Sequence, residues 1–174
     1  MKAAILSNIV VDEIVSRDLK SSQSLGGPAA YCGITARTFG FDTTLFTHFG
    51  KDLDPQYLDY LKNQGISFNA HYSDLPTTRF VLKNFETDRE LTLESKCVAL
   101  DIEEIKNVKA NCWIISPVFD EVPLDILQYL SSTKKEGNQF VMLDPQGYTR
   151  AIDSEGRVSI RKKMDIPIHK VNGI

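Results

Sequence analysis

A glycine pair, Gly26-Gly27, followed by proline and small residues constrains this chain more than any other feature of the sequence. Glycine accepts positive φ angles and, lacking a Cβ, lets a ligand approach the main chain. Pro28 stands where a helix would begin, a position that does not need its missing N–H. Small residues follow as far as Gly40, which is placed to end the helix. The stretch predicts a helix whose first N–H groups face the glycine turn, which suits anionic or hydroxyl-rich ligands.

Apolar runs of strand length alternate with helical segments over most of the chain. We expect strands over residues 3–9, 43–49, 112–116 and 140–144, and helices over 54–65 and 124–135. This alternation is typical of a parallel sheet covered by helices, in which ligands gather at the carboxyl ends of the strands. Asp12, Asp144 and Arg150 follow two of these strands and are candidate contacts. On residue type alone, an ordinary turn explains Asp12 and residues 144–147 as well.

Residues 78–85 and 89–94 alternate polar with apolar, which predicts two strands with one covered face, joined by a turn at 86–88. Such a ribbon is only marginally stable alone, so we expect it to join extended chain near residues 11–25 in a small sheet. That sheet would lie over the core as a lid. The lid segments, approximately 11–25 and 70–95, would be inserted in one α/β domain spanning 1–174. The apolar context of the last residues predicts that this domain is incomplete.

Composition argues against several classes of partner. Lys and Arg number 20 and Asp and Glu 23, a net charge of −3, so no interaction with nucleic acid is expected. No apolar run reaches the length of a membrane span. The three cysteines, Cys32, Cys97 and Cys112, are widely spaced and predict neither a metal site nor a disulfide framework. A cytoplasmic protein without a membrane partner is the simplest expectation.

In combination these motifs resemble the ribokinase-like (PfkB) carbohydrate kinases. The resemblance rests on Asp12, the glycine-pair helix, Gly50-Lys51-Asp52, the ribbon that begins at Pro76 and carries Arg89, and residues 143–150. It covers essentially all 174 residues, but only the first half or slightly more of a family member. It implies a Rossmann-like core with a parallel sheet flanked by helices, a small β-sheet lid, and truncation at the C-terminus.

The resemblance also implies a function, since members of this family transfer the γ-phosphate of ATP to a sugar or nucleoside hydroxyl with the help of magnesium. Asp12 would accept hydrogen bonds from sugar hydroxyls, while Gly26 and Gly27 would let the sugar lie against the backbone. Arg89 and Arg150 would hold an acidic sugar or a phosphate, although surface ion pairs explain these arginines equally well.

Two positions depart from the family pattern. Tyr31 stands where members often carry an asparagine that binds the sugar, and Ser7 replaces a usual glycine near the end of strand one. Tyr31 would stack on a ring, bond through its hydroxyl, or narrow the pocket. The sequence therefore leaves the identity of the sugar open.

The family's catalytic aspartate lies in a Gly-Ala-Gly-Asp motif that this sequence does not contain. Asn172 matches the first residue of the family's Asn-x-x-Glu magnesium motif, as a second-shell group. We therefore expect a sugar-binding half without a catalytic base, which binds neither ATP nor magnesium tightly and is inactive by itself.

Two other interpretations remain from the sequence. One is a stand-alone, non-catalytic domain that binds a sugar or pairs with another subunit, and pairing of two copies through the lid is a related expectation. The other is a nicotinamide-dependent oxidoreductase, which needs GxGxxG directly after strand one. Asn8-Ile9-Val10 stands there instead, so the sequence disfavours the oxidoreductase.

Overall fold

Parallel strands formed by the apolar runs make up the centre of the structure. The computed structural model describes residues 1–84, 89–137, 139–163 and 166–174. Its strands are Lys2–Leu6 (β1), Val10–Val15 (β2), Ser21–Gly26 (β3), Asp42–Gly50 (β4), Ser67–Ser73 (β5), Thr78–Asn84 (β6), Arg89–Ser95 (β7), Cys112–Ile115 (β8), Phe140–Leu143 (β9), Arg150–Ile152 (β10) and Val158–Ile160 (β11). Its helices are Gly27–Thr38 (α1), Pro55–Asn63 (α2), Leu124–Gly137 (α3) and Gln146–Thr149 (α4), with 3-10 turns at Ile102–Glu104 and Ile168–Lys170.

The large sheet has five strands in the order β5-β4-β1-β8-β9, and all of its pairings are parallel. One face packs on α1 and α2 through residues such as Ile5, Ala30 and Leu61. The other face packs on α3 around Trp113 and Leu127. The predicted core, a parallel sheet with helices on both faces, is confirmed. Within the described ranges, no helix is both long and apolar enough to cross a membrane.

Helix α1 begins and ends where the glycines predict. Gly26 is its N-cap, and Pro28 lies in its first turn. Small buried residues let the helix approach the sheet closely, since a Cβ at Gly33 would lie 2.8 Å from Ile66 Cδ1. After the helix, Gly40 adopts a φ of +79°, a conformation that favours glycine.

A second, four-stranded sheet has the order β3-β2-β6-β7. Strands β2 and β6 run parallel, while the outer pairs are antiparallel. The predicted small sheet is therefore present, although the turn expected at 86–88 lies outside the described residues. Residues 70–73 belong instead to β5 of the large sheet, because Phe68 and Ala70 pack in the core next to α1 and α2. The lid boundaries themselves stay a prediction.

Candidate functional site

A cleft of about 310 Å³ lies between the small sheet, the beginning of α1 and the loops that follow β8 and β9. Five of the residues singled out in the sequence line it: Asp12, Gly27, Tyr31, Arg89 and Arg150. The remaining lining residues, which sequence reasoning missed, are Val10, Phe80, Leu82, Leu91, Val118 and Gln146. Residues from six separate parts of the chain thus share one cleft.

The Asp12 carboxyl group is the acidic group of this cleft. It lies inside β2, opposite Ser24 of β3, and not in a turn. Burial raises its pKa, and the nearby charge of Arg150 offsets only part of that rise. No hydrogen bond reaches this carboxyl group from the part of the chain that the structure describes. Its acceptor capacity is therefore available to a ligand.

The glycine pair shapes the floor of the cleft beside Asp12. A Cβ on Gly26 would lie 1.9 Å from Asp12 Oδ2, so only glycine leaves room for the carboxyl group. Gly27 has a φ of +75°, and a Cβ there would lie 2.9 Å from Val10 Cγ2. No side chain caps the N-terminus of α1, so its first N–H groups are left to a ligand or water.

Arg150 supplies a cation held in the cleft wall. Its Nη1 donates to the Val118 carbonyl at 3.0 Å, and its guanidinium lies 5.1 Å from the centre of the Phe80 ring. Burial lowers its pKa, while the negative charges of Asp12 and Glu121 act in the opposite direction. Arg89, at the start of β7, is a second arginine in the lining. The cleft is thus lined by one carboxyl group and two guanidinium groups.

The loop after β9 is held by Asp144. Its carboxylate accepts from Ser116 Oγ at 2.9 Å and from the Gln146 backbone N–H at 3.0 Å. These bonds fix the start of α4, which carries Gln146 and leads to Arg150. The negative charge of Asp144 raises the pKa of Arg150 less than the negative charge of Asp12 does.

Glu121 is a buried acid that sequence reasoning missed. It is 1% exposed and accepts from the backbone N–H groups of Val118 at 2.6 Å and Phe119 at 2.7 Å. Burial raises its pKa, although the backbone hydrogen bonds favour the charged form. By holding the loop after β8, Glu121 positions the Val118 carbonyl to which Arg150 binds. A single glutamate next to Asp120 in the loop between β8 and α3 gave no sequence signal of this role.

The Gly50-Lys51-Asp52 motif connects the two sheets. Asp52 Oδ1 accepts from the Thr77 backbone N–H at 2.8 Å and the Thr77 hydroxyl at 2.9 Å, directly before β6. Arg79 of β6 adds a contact of 3.1 Å to Oδ2. A Cβ on Gly50 would lie 2.3 Å from Asp52 Oδ1. The motif anchors the strand that carries Phe80 and Leu82, and so supports the cleft from outside.

Asn172 is placed away from the cleft lining. Its Oδ1 accepts from the Val141 backbone N–H at 2.8 Å, and its own N–H donates to the Val141 carbonyl at 2.8 Å. The side chain therefore pairs with β9. Among the described residues, no group of three His, Cys, Asp or Glu side chains is arranged to hold a metal ion.

Comparison with known proteins gives matches in structure only. No protein-family profile and no curated sequence matches this chain. A pyrophosphate-dependent kinase in the ribokinase family, in complex with a pyrophosphate analogue and myo-inositol, is 21% identical with a TM-score of 0.78; the match covers 91% of this chain and 54% of that one. The ribokinase of Giardia lamblia is 15% identical with a TM-score of 0.70, over 84% of this chain and 51% of its own.

A third similar structure is the ribokinase of Cryptococcus neoformans in complex with ADP. It is 14% identical with a TM-score of 0.65, over 82% of this chain and 48% of its own. The chain thus spans about half the length of the kinases that it matches. The TM-scores of 0.65 to 0.78 over most of its length show that this chain has the fold of the ribokinase-family kinases.

Proposed function

We propose that this chain forms the acceptor-binding half of a kinase that phosphorylates a sugar or a related polyol. The observation that carries the proposal is the half-buried Asp12 carboxyl group, which lines the cleft beside the glycine pair without a hydrogen bond from the described residues. Hydroxyl groups are the natural donors to such an acceptor. One kinase of the same fold is described in complex with myo-inositol, a polyol whose only functional groups are hydroxyls.

Each side of the cleft has a role in this proposal. Asp12 accepts from two hydroxyl groups of the acceptor, and the glycine pair lets the ring lie against the beginning of α1. Leu82 and Leu91 of the small sheet cover the apolar face of the ring and exclude water. Arg89 and Arg150 bind an acidic substituent where the acceptor carries one.

The phosphate donor and the catalytic base lie outside this chain in our proposal. ATP with magnesium is the donor expected from the resemblance, and one kinase of this fold is described as pyrophosphate-dependent. The oxygen of Asn172 already accepts from β9, and the described residues offer no carboxylate cluster for magnesium. These residues do not fit a magnesium site, so no step of phosphoryl transfer is assigned to them.

Acceptor binding is tested by calorimetric titration of the purified chain with myo-inositol, ribose and fructose. We expect one of these to bind, and Asp12→Asn to weaken binding by about tenfold or more, because a hydrogen bond to a charged group contributes roughly 1.5–3 kcal/mol. Because burial raises the pKa of Asp12, binding should also weaken as the pH falls towards that raised value and the carboxylate is protonated.

The matched control is Glu13→Gln, which removes the next carboxylate along β2 on the opposite face of the sheet. This variant should bind like the unchanged chain. Equal affinities for Asp12→Asn and the unchanged chain, or no binding of any polyol, would refute the proposed acceptor site.

An assay for phosphorylated product distinguishes the proposed half of a kinase from a stand-alone, non-catalytic domain. The chain alone, given ATP or pyrophosphate with magnesium and the bound polyol, should release no phosphorylated product. Turnover by the chain alone would show that the catalytic base lies within it. Activity that appears only on addition of a second polypeptide would support the kinase half, and its absence with every candidate partner would favour the non-catalytic domain.

An apolar groove beside α1 favours a second candidate function, which is pairing with another subunit. A nearly apolar groove of about 390 Å³ runs beside α1 on the large sheet, lined in part by Phe39, Cys112, Ile114 and Met142. Phe39 is 77% exposed. Exposed apolar surface of this kind marks interaction sites. Light scattering of the chain against a Phe39→Ser variant tests pairing, which this substitution should weaken.

We also propose a cytoplasmic location, which rests on the cysteines. Cys32, Cys97 and Cys112 are free thiols in the structure. Pairing of two copies through the exposed face of the small sheet stays a prediction, as does the lack of nucleic-acid and membrane partners.

A further inference from the structure

A second, larger cleft of about 640 Å³ lies at the amino ends of the strands of the large sheet, on the side away from the candidate acceptor cleft. Lys2, Asn111 and Gln139, which line it, stand at the amino ends of β1, β8 and β9. The candidate acceptor cleft lies beyond the carboxyl ends of the same sheet and shares no lining residue with this one. The two clefts are therefore separate in space.

Among the side chains that the structure describes, the charged ones that line this second cleft are all cationic. Lys2, Lys106 and Lys109 line it, and no carboxylate does so among the described residues. Lys106 is paired with Glu103. Lys2 and Lys109 form no ion pair within the parts of the chain that the structure describes. Two cations at the edge of a cleft, without neutralising partners, favour an anionic ligand.

Two buried polar atoms of residues that line the cleft lack a hydrogen-bond partner among the described residues. Trp113 is 1% exposed, and its indole N–H has no hydrogen-bond partner in the described ranges. The Oε1 of Gln139 is a buried acceptor that likewise has none. Leaving such groups unpaired is costly, and native proteins rarely do so. Because both atoms are themselves buried, a ligand in the cleft reaches them only if the two side chains move.

The size and remaining lining of the cleft restrict the ligand further. Ile105, Val108 and Leu130 give an apolar wall next to Trp113. A volume of about 640 Å³ is far larger than an inorganic ion needs and lies within the usual range for small organic ligands. Lysines act as point charges towards phosphate. We infer that this cleft binds an organic phosphate of nucleotide size, with the phosphate at Lys2 and Lys109 and the organic body against Trp113.

The test uses the intrinsic fluorescence of Trp113, the only tryptophan in the chain. Adenosine 5′-monophosphate should change its emission saturably, and the effect should weaken as the salt concentration rises. Adenosine, which lacks the phosphate, should bind at least tenfold more weakly. Titration with myo-inositol should leave the emission unchanged, because the candidate acceptor cleft lies beyond the carboxyl ends of the strands, away from Trp113.

Variants locate the binding. Lys2→Gln combined with Lys109→Gln should weaken adenosine monophosphate binding at least tenfold. Lys62→Gln, an exposed lysine of α2 away from this cleft, is the matched control and should bind normally.

Three results would overturn the inference. One is no saturable change with adenosine monophosphate, uridine monophosphate or glucose 6-phosphate at millimolar concentration. Another is equal binding of adenosine and its monophosphate. The third is unchanged affinity in the double lysine variant. None of these results depends on whether a polyol binds at Asp12, so failure here is distinguishable from failure of the proposed function.

Discussion

Asp12 and Gly26 depend on each other, because the carboxyl group occupies the space that a side chain at Gly26 would need. Sequence reasoning identified both residues as site candidates. It did not reveal their contact, which follows from the register of β2 against β3. The backbone of Gly26 is extended, with a φ of −121°, so its smallness serves the neighbouring carboxyl group and not an unusual backbone angle.

Gly26→Ala therefore tests this steric dependence directly. The added methyl group would lie 1.9 Å from Asp12 Oδ2 and must displace the carboxyl group. We expect polyol affinity to fall about as much as in Asp12→Asn, with a loss of stability of about 1–3 kcal/mol from overpacking. Calorimetric titration and thermal unfolding measure the two effects.

Gly173→Ala is the control, since a Cβ there meets its nearest atom, Met142 Cγ, at 3.8 Å. This variant should match the unchanged chain in both measurements. Full polyol affinity in Gly26→Ala would contradict the role given to the contact with Asp12.

At the scale of elements, the link from Asp52 to Thr77 ties the end of β4 to the start of β6. The sequence marked Gly50-Lys51-Asp52 as a motif without showing what it contacts, because Thr77 lies 25 residues further along the chain. Burial alone would raise the pKa of Asp52, but the hydrogen bonds from Thr77 and Arg79 outweigh it and lower the pKa below the ordinary value of 3.8.

Asp52→Asn should lower the free energy of unfolding by about 1 kcal/mol near neutral pH, a small effect because the group is partly exposed. The folded-state pKa of Asp52 is lowered, so its contribution is present above pH 3.8 and disappears as the pH falls through the lowered value. The difference between variant and unchanged chain should shrink in acid, as measured by urea unfolding over a pH series.

Asp59→Asn is the control on α2, where an exposed aspartate lies 3.5 Å from Lys62. It should change the unfolding free energy little at any pH. A difference between Asp52→Asn and the unchanged chain that stays constant down to strong acid would contradict the lowered pKa of Asp52.

At the scale of the whole molecule, the sequence predicted the core better than the site. The β-branched and aromatic residues over 43–49 and the apolar run over 140–144 indicate strands, and the helix signals at Asp54 and Gly40 are local. The cleft is different, because Phe80, Leu91 and Gln146 meet only through the pairing of distant strands. The lid segment expected over 70–95 includes residues 70–73, because their pattern does not indicate which sheet they join.

The two sheets should also differ in stability. The central strand β1 has neighbours on both sides, and Ile5 and Leu6 are 0% exposed, whereas β7 lies at an edge of the small sheet. Hydrogen exchange should therefore be slowest at β1 and β8 and faster at β7. Exchange at β7 as slow as that at β1 would show that the two sheets open together.

Tyr31 lines two surfaces at once, the candidate acceptor cleft and the apolar groove beside α1. Tyr31 is 63% exposed. A molecule laid along the groove would press this ring towards one side and so change the width of the cleft entrance. Under the proposed function, the polyol affinity measured on the chain alone is the affinity with the apolar groove empty. A partner bound in that groove would change this affinity without contacting Asp12.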